Sequence, residues 1–249
     1  MHPDLVGPVA LTMHRYPLIA WLVLGFLLPI TAIGGEMREY RIVFIRTGPA
    51  EDVPAETQQE AFQGHFTNMT RMAEEGDLLI AGPYMPPNPD PMHRGLWIFN
   101  TDSDEKALEL AATDPPGKLG IFVFESVPLV TDEALDQCAR LEKEAEALRL
   151  ADPDIPDEWV GQSYRIATIA SDRDDAPERI DGVVILAKLR GVEDNPETDG
   201  LDHHFVVLDA QDDETARDIL SNAGCNADQW TLHGWYSTPT LTQLPELRD

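Results

Sequence analysis

The order in which hydrophobic patterns follow one another between residues 39 and 130 restricts the fold more than any other feature. Residues 39–46 (EYRIVFIR) alternate as in a strand with one buried face, and residues 56–75 carry apolar side chains at helical steps. Two short strands (77–83 and 95–100), a second helix (102–112) and a fourth strand (120–130) follow. This β-α-β-β-α-β order predicts a ferredoxin-like α+β unit with both helices on one face of an antiparallel sheet.

Glycine, proline and acidic residues mark the ends of these elements. Gly76 ends the first helix, and the second strand is expected to end at Gly82-Pro83. Asp102, with Glu105 three residues later, is typical of a capping pair that opens the second helix. That helix is expected to end at Asp114, because a residue before proline avoids the helical region.

The second half of the chain resembles an eroded copy of the same unit. An amphipathic helix and an acidic, proline-broken linker occupy residues 132–160, and residues 161–240 contain four strand patterns and one helix. The stretch from Ser171 to Gly182 is too short for a full first helix. In a ferredoxin-like unit the helices cover one face of the sheet and leave the other face bare. Two such units in one chain can cover both bare faces, since the two sheets can pack on each other as a pseudo-dimer that needs no partner subunit.

The amino terminus has the layout of a secretory signal peptide. Arg15 precedes an apolar run over residues 17–30, and Ala32 and Gly34 are suitably placed for cleavage after Gly34. The alternative is an uncleaved membrane anchor, but the run is short for a spanning helix and is interrupted by Pro29. We therefore predict residues 1–34 to be a signal peptide and the mature protein to be periplasmic or extracellular, and not embedded in a membrane.

The charge balance excludes several classes of partner. With 18 Lys+Arg against 45 Asp+Glu, the formal net charge is −27, so a nucleic-acid-binding or anionic-lipid-binding surface is not expected. The chain has no GxGxxG or GxxxxGK[ST] loop, which argues against nucleotide cofactors, and no GxSxG elbow. Cys138 and Cys225 form no zinc-binding cluster, although a single bridge between them remains open. No cofactor and no metal are predicted.

Two stretches of the first half carry a family resemblance. GHFTNMTRMAEEGDLLIAGPY and HRGLWIFNTDSDEKALELAATDPP, with the strand after them, resemble the YCII-related (YciI-like) domain family of the dimeric α+β barrel class. The resemblance implies a YCII-like domain at residues 37–131 and a tandem, pseudo-dimeric α+β barrel. It also implies a cofactor-free proton transfer of the lyase or isomerase type on a small, cyclic or aromatic substrate. A His on the first helix and the Asp of the Asp-Pro corner are the family's proposed active-site pair, and they match His65 and Asp114.

The residues themselves support this pair in part. On a helical wheel His65 falls between Met69 and Met72, so it faces the apolar stripe of the helix and needs a partner or must be neutral. A carboxylate on one ring nitrogen would leave the other nitrogen as a general acid or base near neutral pH. The alternative is a core histidine beside an aspartate with a purely structural hydrogen bond. The second half has no histidine equivalent to His65, so a single site in the first half is expected.

Three further residues are candidates for substrate binding. Gly82 and Pro83 would let a ligand approach the backbone at the end of a strand, although a simple turn is the commoner use of this pair. Arg94 could hold the carboxylate of an anionic substrate, or could form a surface salt bridge. His203 and His204 point to opposite faces of a strand and cannot share a metal. The hypotheses are thus an acid–base enzyme with a small-molecule substrate, or a non-catalytic ligand-binding or structural module.

Overall fold

Side chains along the first strand, β1 (Arg38–Thr47), alternate between two separate cores. In the computed structural model, which describes residues 36–152 and 160–247, Ile42 and Phe44 belong to one buried cluster and Val43 and Ile45 to another. The first cluster contains apolar residues from all eight described strands, and the second contains residues of β1 and of nearby helices. The period of two in the sequence therefore places one face of β1 inside the barrel formed by these strands and the other face under helices.

The first half has the predicted order of elements with one addition. After β1 come α1 (Ala55–Glu74), β2 (Leu78–Met85), β3 (His93–Phe99), α2 (Asp104–Ala111), the short helix α3 (Pro115–Lys118) and β4 (Phe122–Thr131). The four strands pair antiparallel in the order β4-β1-β3-β2.

The second half repeats this strand order with fewer helices. It contains a 3₁₀ turn (Leu135–Gln137), α4 (Cys138–Ala151), β5 (Gln162–Ala170), β6 (Val183–Leu189), β7 (His203–Leu208), α5 (Asp213–Asn222), a 3₁₀ turn (Ala227–Gln229), β8 (Thr231–Ser237) and a 3₁₀ segment (Pro239–Leu247). Its strands are ordered β8-β5-β7-β6. In the described stretch between β5 and β6 there is no helix.

The two sheets join at their edges into one closed barrel of mixed α and β structure, ordered β1-β3-β2-β8-β5-β7-β6-β4. β2 pairs with β8 at Tyr84 and Met85, and β4 pairs with β6 at Leu129 and Val130. The two sheets thus pack on each other across the shared interior cluster, as expected, and they also pair at both edges, which satisfies the backbone groups that open edges would leave unpaired. Apolar side chains of α4 and of the terminal segment join the interior cluster: Leu141, Leu241 and Leu244.

Local boundaries differ from the predictions at three places. β2 does not end at Gly82-Pro83 but continues to Met85, because its last two residues pair with β8. The cap of α2 is Ser103, whose hydroxyl accepts a hydrogen bond from the Lys106 N–H at 3.2 Å, and not Asp102. Asp114 does not simply follow a helix; it is the N-cap residue of α3.

All described residues belong to one compact unit, Ile33–Asp249. The boundaries 37–131, 132–160 and 161–240 stay predictions, and the predicted signal peptide at residues 1–34 lies outside the described residues, as does most of the linker. Across residues 36–152 and 160–247, no helix combines the length and apolar character that a membrane span requires.

Candidate active site

The imidazole of His65 is held in an aromatic environment on the inner face of α1. Its ring stacks on the Trp97 indole of β3, with centroids 5.5 Å apart and planes 22° from parallel. The rings of Phe62 and Phe122 meet it edge-on. Only 12% of the His65 side chain is exposed, so the apolar face predicted from the helical wheel is where the ring lies.

Asp114 is the hydrogen-bond partner of this ring. Its Oδ1 lies 2.8 Å from Nδ1 of His65, and its side chain is fully buried. An N-cap aspartate usually accepts from the helix N–H groups, but the first two residues of α3 are Pro115 and Pro116, which have none. Asp114 makes no side-chain capping hydrogen bond, so its carboxylate is available to bond His65. Because a carboxylate only accepts, Nδ1 carries the proton and Nε2 is the basic nitrogen of the neutral ring.

The remaining atoms of the pair define what it can do chemically. Oδ2 of Asp114 is buried without a hydrogen-bond partner among the described residues. In the same part of the chain, Nε2 of His65 has no hydrogen bond, while the side chain lines a cavity. A base oriented by a buried carboxylate, with its free nitrogen at a cavity, is the arrangement that general acid–base catalysis requires.

Gly64 is a residue of the site that the sequence analysis missed. A Cβ at this position would lie 2.8 Å from Cγ of Pro115, so the absence of a side chain lets α1 approach α3. This approach brings His65, the next residue, to Asp114. The available signal was a glycine inside a helical pattern, which weakens a helix and often has a packing reason.

A β-bulge directs Arg94 to the same place. β1 pairs with β3 through Ile45 and Gly95, but the next pair is Arg46 with His93, so Arg94 is an extra residue of β3. A bulge of this kind changes the face to which the extra side chain projects. As a result Arg94 lines the cavity of His65, while His93 takes the inward position beside Arg46. Arg94 thus lies within β3, not just before it.

These side chains surround one cavity of about 220 Å³ on the outer face of the sheet under α1. Of the predicted site residues, His65, Gly82, Pro83 and Arg94 line it directly, and Asp114 lies behind His65. The other lining residues are apolar or glycine: Ile45, Phe62, Phe66, Met69, Gly95, Trp97 and Phe122.

The sequence around this cavity matches one known family. Residues 42–131 match the model of the YCII-related domain. Residues 42–131 are thus similar to the YCII-related domain, and we call this part of the barrel the YCII-related domain. The match begins within β1, ends at the last residue of β4 and includes every candidate site residue. The family resemblance expected from the sequence is therefore confirmed. A search of curated proteins returned no match.

Gly82 of the YCII-related domain has a packing role that the sequence did not indicate. A Cβ here would lie 2.2 Å from the backbone oxygen of Tyr236 and 2.6 Å from Nε1 of Trp235, on the neighbouring strand β8. The glycine is thus required where β2 and β8 meet. The interpretation of Gly82 as a turn at a strand end is wrong, because β2 continues past it.

We expect Gly82→Ala to lower the free energy of unfolding by about 3 kcal/mol, since a methyl group must displace backbone at the β2–β8 junction. Urea unfolding measures this. Gly76→Ala is the comparison: nothing lies within 4 Å of its Cβ, and only its positive φ of 79° makes alanine unfavourable, by about 1 kcal/mol. Equal stability of Gly82→Ala and the wild type would contradict the packing role and favour a role at the ligand alone.

A second polar group of residues lies where the β6–β7 connection meets β1 and β3; we call Arg46, Asp90, His93, Glu125 and Glu197 the barrel-mouth cluster. Oε1 of Glu197 is 2.7 Å from Arg46 and 2.8 Å from Nε2 of His93. Arg46 also lies 3.1 Å from Asp90 and 3.8 Å from Glu125. Glu197 belongs to the β6–β7 connection, so the cluster ties the second half of the chain to the YCII-related domain.

The pKa values of two carboxyl groups of this cluster are shifted in opposite directions. Burial alone would raise the pKa of Glu197, but hydrogen bonds and charges from His93 and Arg46 hold it below its ordinary value. For Glu125, burial and the neighbouring Glu197 charge raise the pKa. No local sequence pattern indicated this cluster, because Glu197 reaches it from a loop distant in sequence.

His233 of β8 lies next to the barrel-mouth cluster. Its ring centroid is 5.8 Å from that of His93 and 5.3 Å from that of Tyr84, and its Nδ1 is 3.4 Å from the Asn88 side-chain oxygen. Burial, reinforced by the His93 charge, lowers the pKa of His233 from 6.5 to about 4. His233 is therefore neutral at physiological pH.

The described part of the chain contains neither a metal-binding cluster nor a reactive thiol. No group of three or more His, Cys, Asp or Glu side chains within residues 36–152 and 160–247 has the geometry to hold a metal ion. Cys138 and Cys225, for which a bridge was left open, are both free and buried. Burial raises the pKa of the Cys138 thiol to about 12 and that of Cys225 to about 11, which suppresses the reactive thiolate.

Proposed function

We propose that this YCII-related domain is a cofactor-free acid–base enzyme that transfers a proton on a small organic substrate. His65 is the catalytic acid–base residue, and Asp114 is the positioning residue that orients it. Gly82, Pro83 and Arg94 border the substrate. The reaction belongs to the lyase or isomerase type, in which a proton leaves one carbon and is returned to another position or accompanies loss of a leaving group.

One observation carries this proposal. The hydrogen bond of 2.8 Å between Nδ1 of His65 and a fully buried aspartate leaves Nε2 available at a 220 Å³ cavity. A histidine needed only for packing would not require a buried carboxylate, whose desolvation is unfavourable unless another group compensates it. The aromatic rings around the imidazole make its surroundings less polar, which strengthens the interaction of Nε2 with a substrate proton.

The chemistry follows from the tautomer. In the neutral ring, Nε2 accepts a proton from the substrate while Nδ1 keeps its hydrogen bond to Asp114. The imidazolium that forms is stabilised by the buried carboxylate. Nε2 then returns the proton to a different atom of the bound intermediate, and the enzyme is regenerated without any external oxidant or reductant.

We interpret the second half of the chain as a degenerate copy of the ferredoxin-like unit. Its strand order β8-β5-β7-β6 corresponds to β4-β1-β3-β2 of the first half, and α5 lies between its last two strands as α2 does. The two edge junctions, β2–β8 and β4–β6, are then equivalent contacts of a pseudo-dimer. We accordingly propose that an exported, monomeric protein carries a single active site.

The tautomer of His65 tests the acid–base assignment. We expect the neutral ring of His65 in the wild type to be the Nδ1–H tautomer in long-range ¹H–¹⁵N spectra of ¹⁵N-histidine-labelled protein, recorded at a pH at which the ring is neutral. Asp114→Asn can donate its amide N–H to Nδ1, so we expect a shift towards the Nε2–H form. The spectra resolve the two forms directly because the two ring nitrogens differ in protonation.

Asp104→Asn, an exposed substitution on α2, is the matched control and should leave the His65 signals unchanged. An unchanged tautomer in Asp114→Asn would contradict the proposal. The domain would then be better described as a non-catalytic ligand-binding or structural module.

A further inference from the structure

We propose that the His65 cavity takes a small planar carboxylate, whose anionic group is held by Arg94 and whose ring lies between the aromatic walls. This inference rests on the proposed function, because it names the substrate class of the same site. It is carried by the charge of the cavity, by the state of Arg94 and by the shape of the walls.

The charge of this cavity is the reverse of that of the chain. The protein has a formal net charge of −27, yet among the described residues no Asp or Glu lines the cavity, and Arg94 is its charged side chain. Three other clefts of the described chain all contain carboxylates: Asp213; Glu197 and Asp199; and Asp181 and Glu246. Asp114 lies behind His65 and is bonded to the imidazole, so the charged side chain that lines the cavity is Arg94, which favours an anion there.

Arg94 is available to bind such an anion. Most described arginines pair with a carboxylate, as Arg38 does with Asp136 and Arg165 with Asp213. Within residues 36–152 and 160–247, Arg94 has neither an ion pair nor a side-chain hydrogen bond. The planar guanidinium offers paired donors that match the two oxygens of a carboxylate, which lysine would not do.

The walls select a flat apolar body. Phe62, Phe66, Trp97 and Phe122 surround the space beside His65, and aromatic rings bind planar groups by stacking and edge contacts. At the ~30 Å³ that one water occupies in the liquid, 220 Å³ corresponds to roughly seven water molecules. A single ring with a carboxylate is of this size.

The two polar ends of the cavity come from different elements. Arg94 lies on the bulge of β3, and His65 lies on α1 across the cavity. An anion bound at Arg94 would therefore share the cavity with the imidazole of His65. The bulge is essential to this arrangement, because regular pairing would have placed residue 94 on the inner face of the barrel.

Benzoate and benzamide distinguish this inference, since they share size and ring but differ in charge. We expect calorimetric titration of the full chain to show that benzoate binds at least about tenfold more tightly than benzamide. Arg94→Gln should remove this preference. Arg173→Gln is the matched control, because Arg173 lines a different cleft, one that contains Glu197 and Asp199. Benzoate should also shift the His65 and Trp97 ring signals in NMR spectra.

The outcomes separate this inference from the proposed function. Equal affinity for the two probes, or benzoate binding that Arg94→Gln leaves unchanged, would overturn the carboxylate assignment even if the His65 tautomer depends on Asp114. Arg94-dependent binding of benzoate that persists in His65→Gln supports the substrate class independently of catalysis. If the His65 tautomer is then unchanged in Asp114→Asn, the acid–base role is contradicted while the carboxylate assignment stands.

Discussion

Replacing His65 with leucine is expected to lower the free energy of unfolding by about 3 kcal/mol, although leucine is apolar and of similar volume. The expected loss of stability comes from Asp114, which the substitution leaves in place. Asp114 is fully buried, its Oδ2 has no hydrogen-bond partner among the described residues, and the Nδ1–H of His65 is the donor to its Oδ1. Without that donor, the site holds an uncompensated buried carboxylate. Urea unfolding of His65→Leu and of the wild type at pH 7 measures the difference.

A double-mutant cycle identifies the origin of this loss. If the uncompensated carboxylate is responsible, His65→Leu combined with Asp114→Ala should be more stable than the sum of the two single effects predicts, by about 2 kcal/mol. Loss of the stacking contact with Trp97 would instead give additive effects, since that contact does not involve Asp114. Additivity within about 0.5 kcal/mol would show that the two residues are not energetically coupled.

Between pH 7 and pH 4.5, His233 is expected to make the stability of the protein fall by about 2–3 kcal/mol. Its folded-state pKa is lowered to about 4 from 6.5. A group whose folded-state pKa is depressed contributes stability at pH values above its unfolded-state pKa. This stability is lost as the pH falls from the unfolded-state pKa to the folded-state pKa. The unfolded chain therefore binds a proton below about pH 6.5 that the folded barrel rejects until about pH 4.

Neighbouring groups contribute with different signs, so the comparison must isolate His233. Glu197, whose folded pKa is lowered, also loses stability on acidification, but below its ordinary value of 4.5. Glu125, whose folded pKa is raised, contributes the opposite change, because the folded protein binds its proton more readily. His233→Gln removes the His233 contribution and leaves both carboxyl groups in place.

We expect the stability of His233→Gln to depend less on pH than that of the wild type, by about 2–3 kcal/mol over pH 7 to 4.5. His203→Gln, at a half-buried position of β7, should retain the wild-type dependence. Urea unfolding at several pH values provides the curves. Parallel curves for His233→Gln and the wild type would mean that His233 does not titrate as a buried neutral residue.

The sequence predicted much of the local structure because local structure depends on local patterns. Alternation placed Ile42 and Phe44 on the inner face of β1, and the helical wheel placed His65 on the buried face of α1. The Asp-Pro-Pro corner located Asp114, although its hydrogen bond to His65 followed from the family resemblance and not from spacing. The prediction was weakest at boundaries such as the end of β2, where pairing with a distant strand decides the outcome.

What the sequence by itself determined was therefore the order of strands and helices, the buried faces of β1 and α1, and the candidate residues His65 and Asp114. Tertiary structure decided how the two sheets join, why Gly82 must be glycine, and which side of the barrel Arg94 faces. It also brought Glu197 to Arg46 and His93 across the barrel mouth. These features depend on strand register and on contacts between residues far apart in the chain, and hydrophobic periodicity carries information about neither.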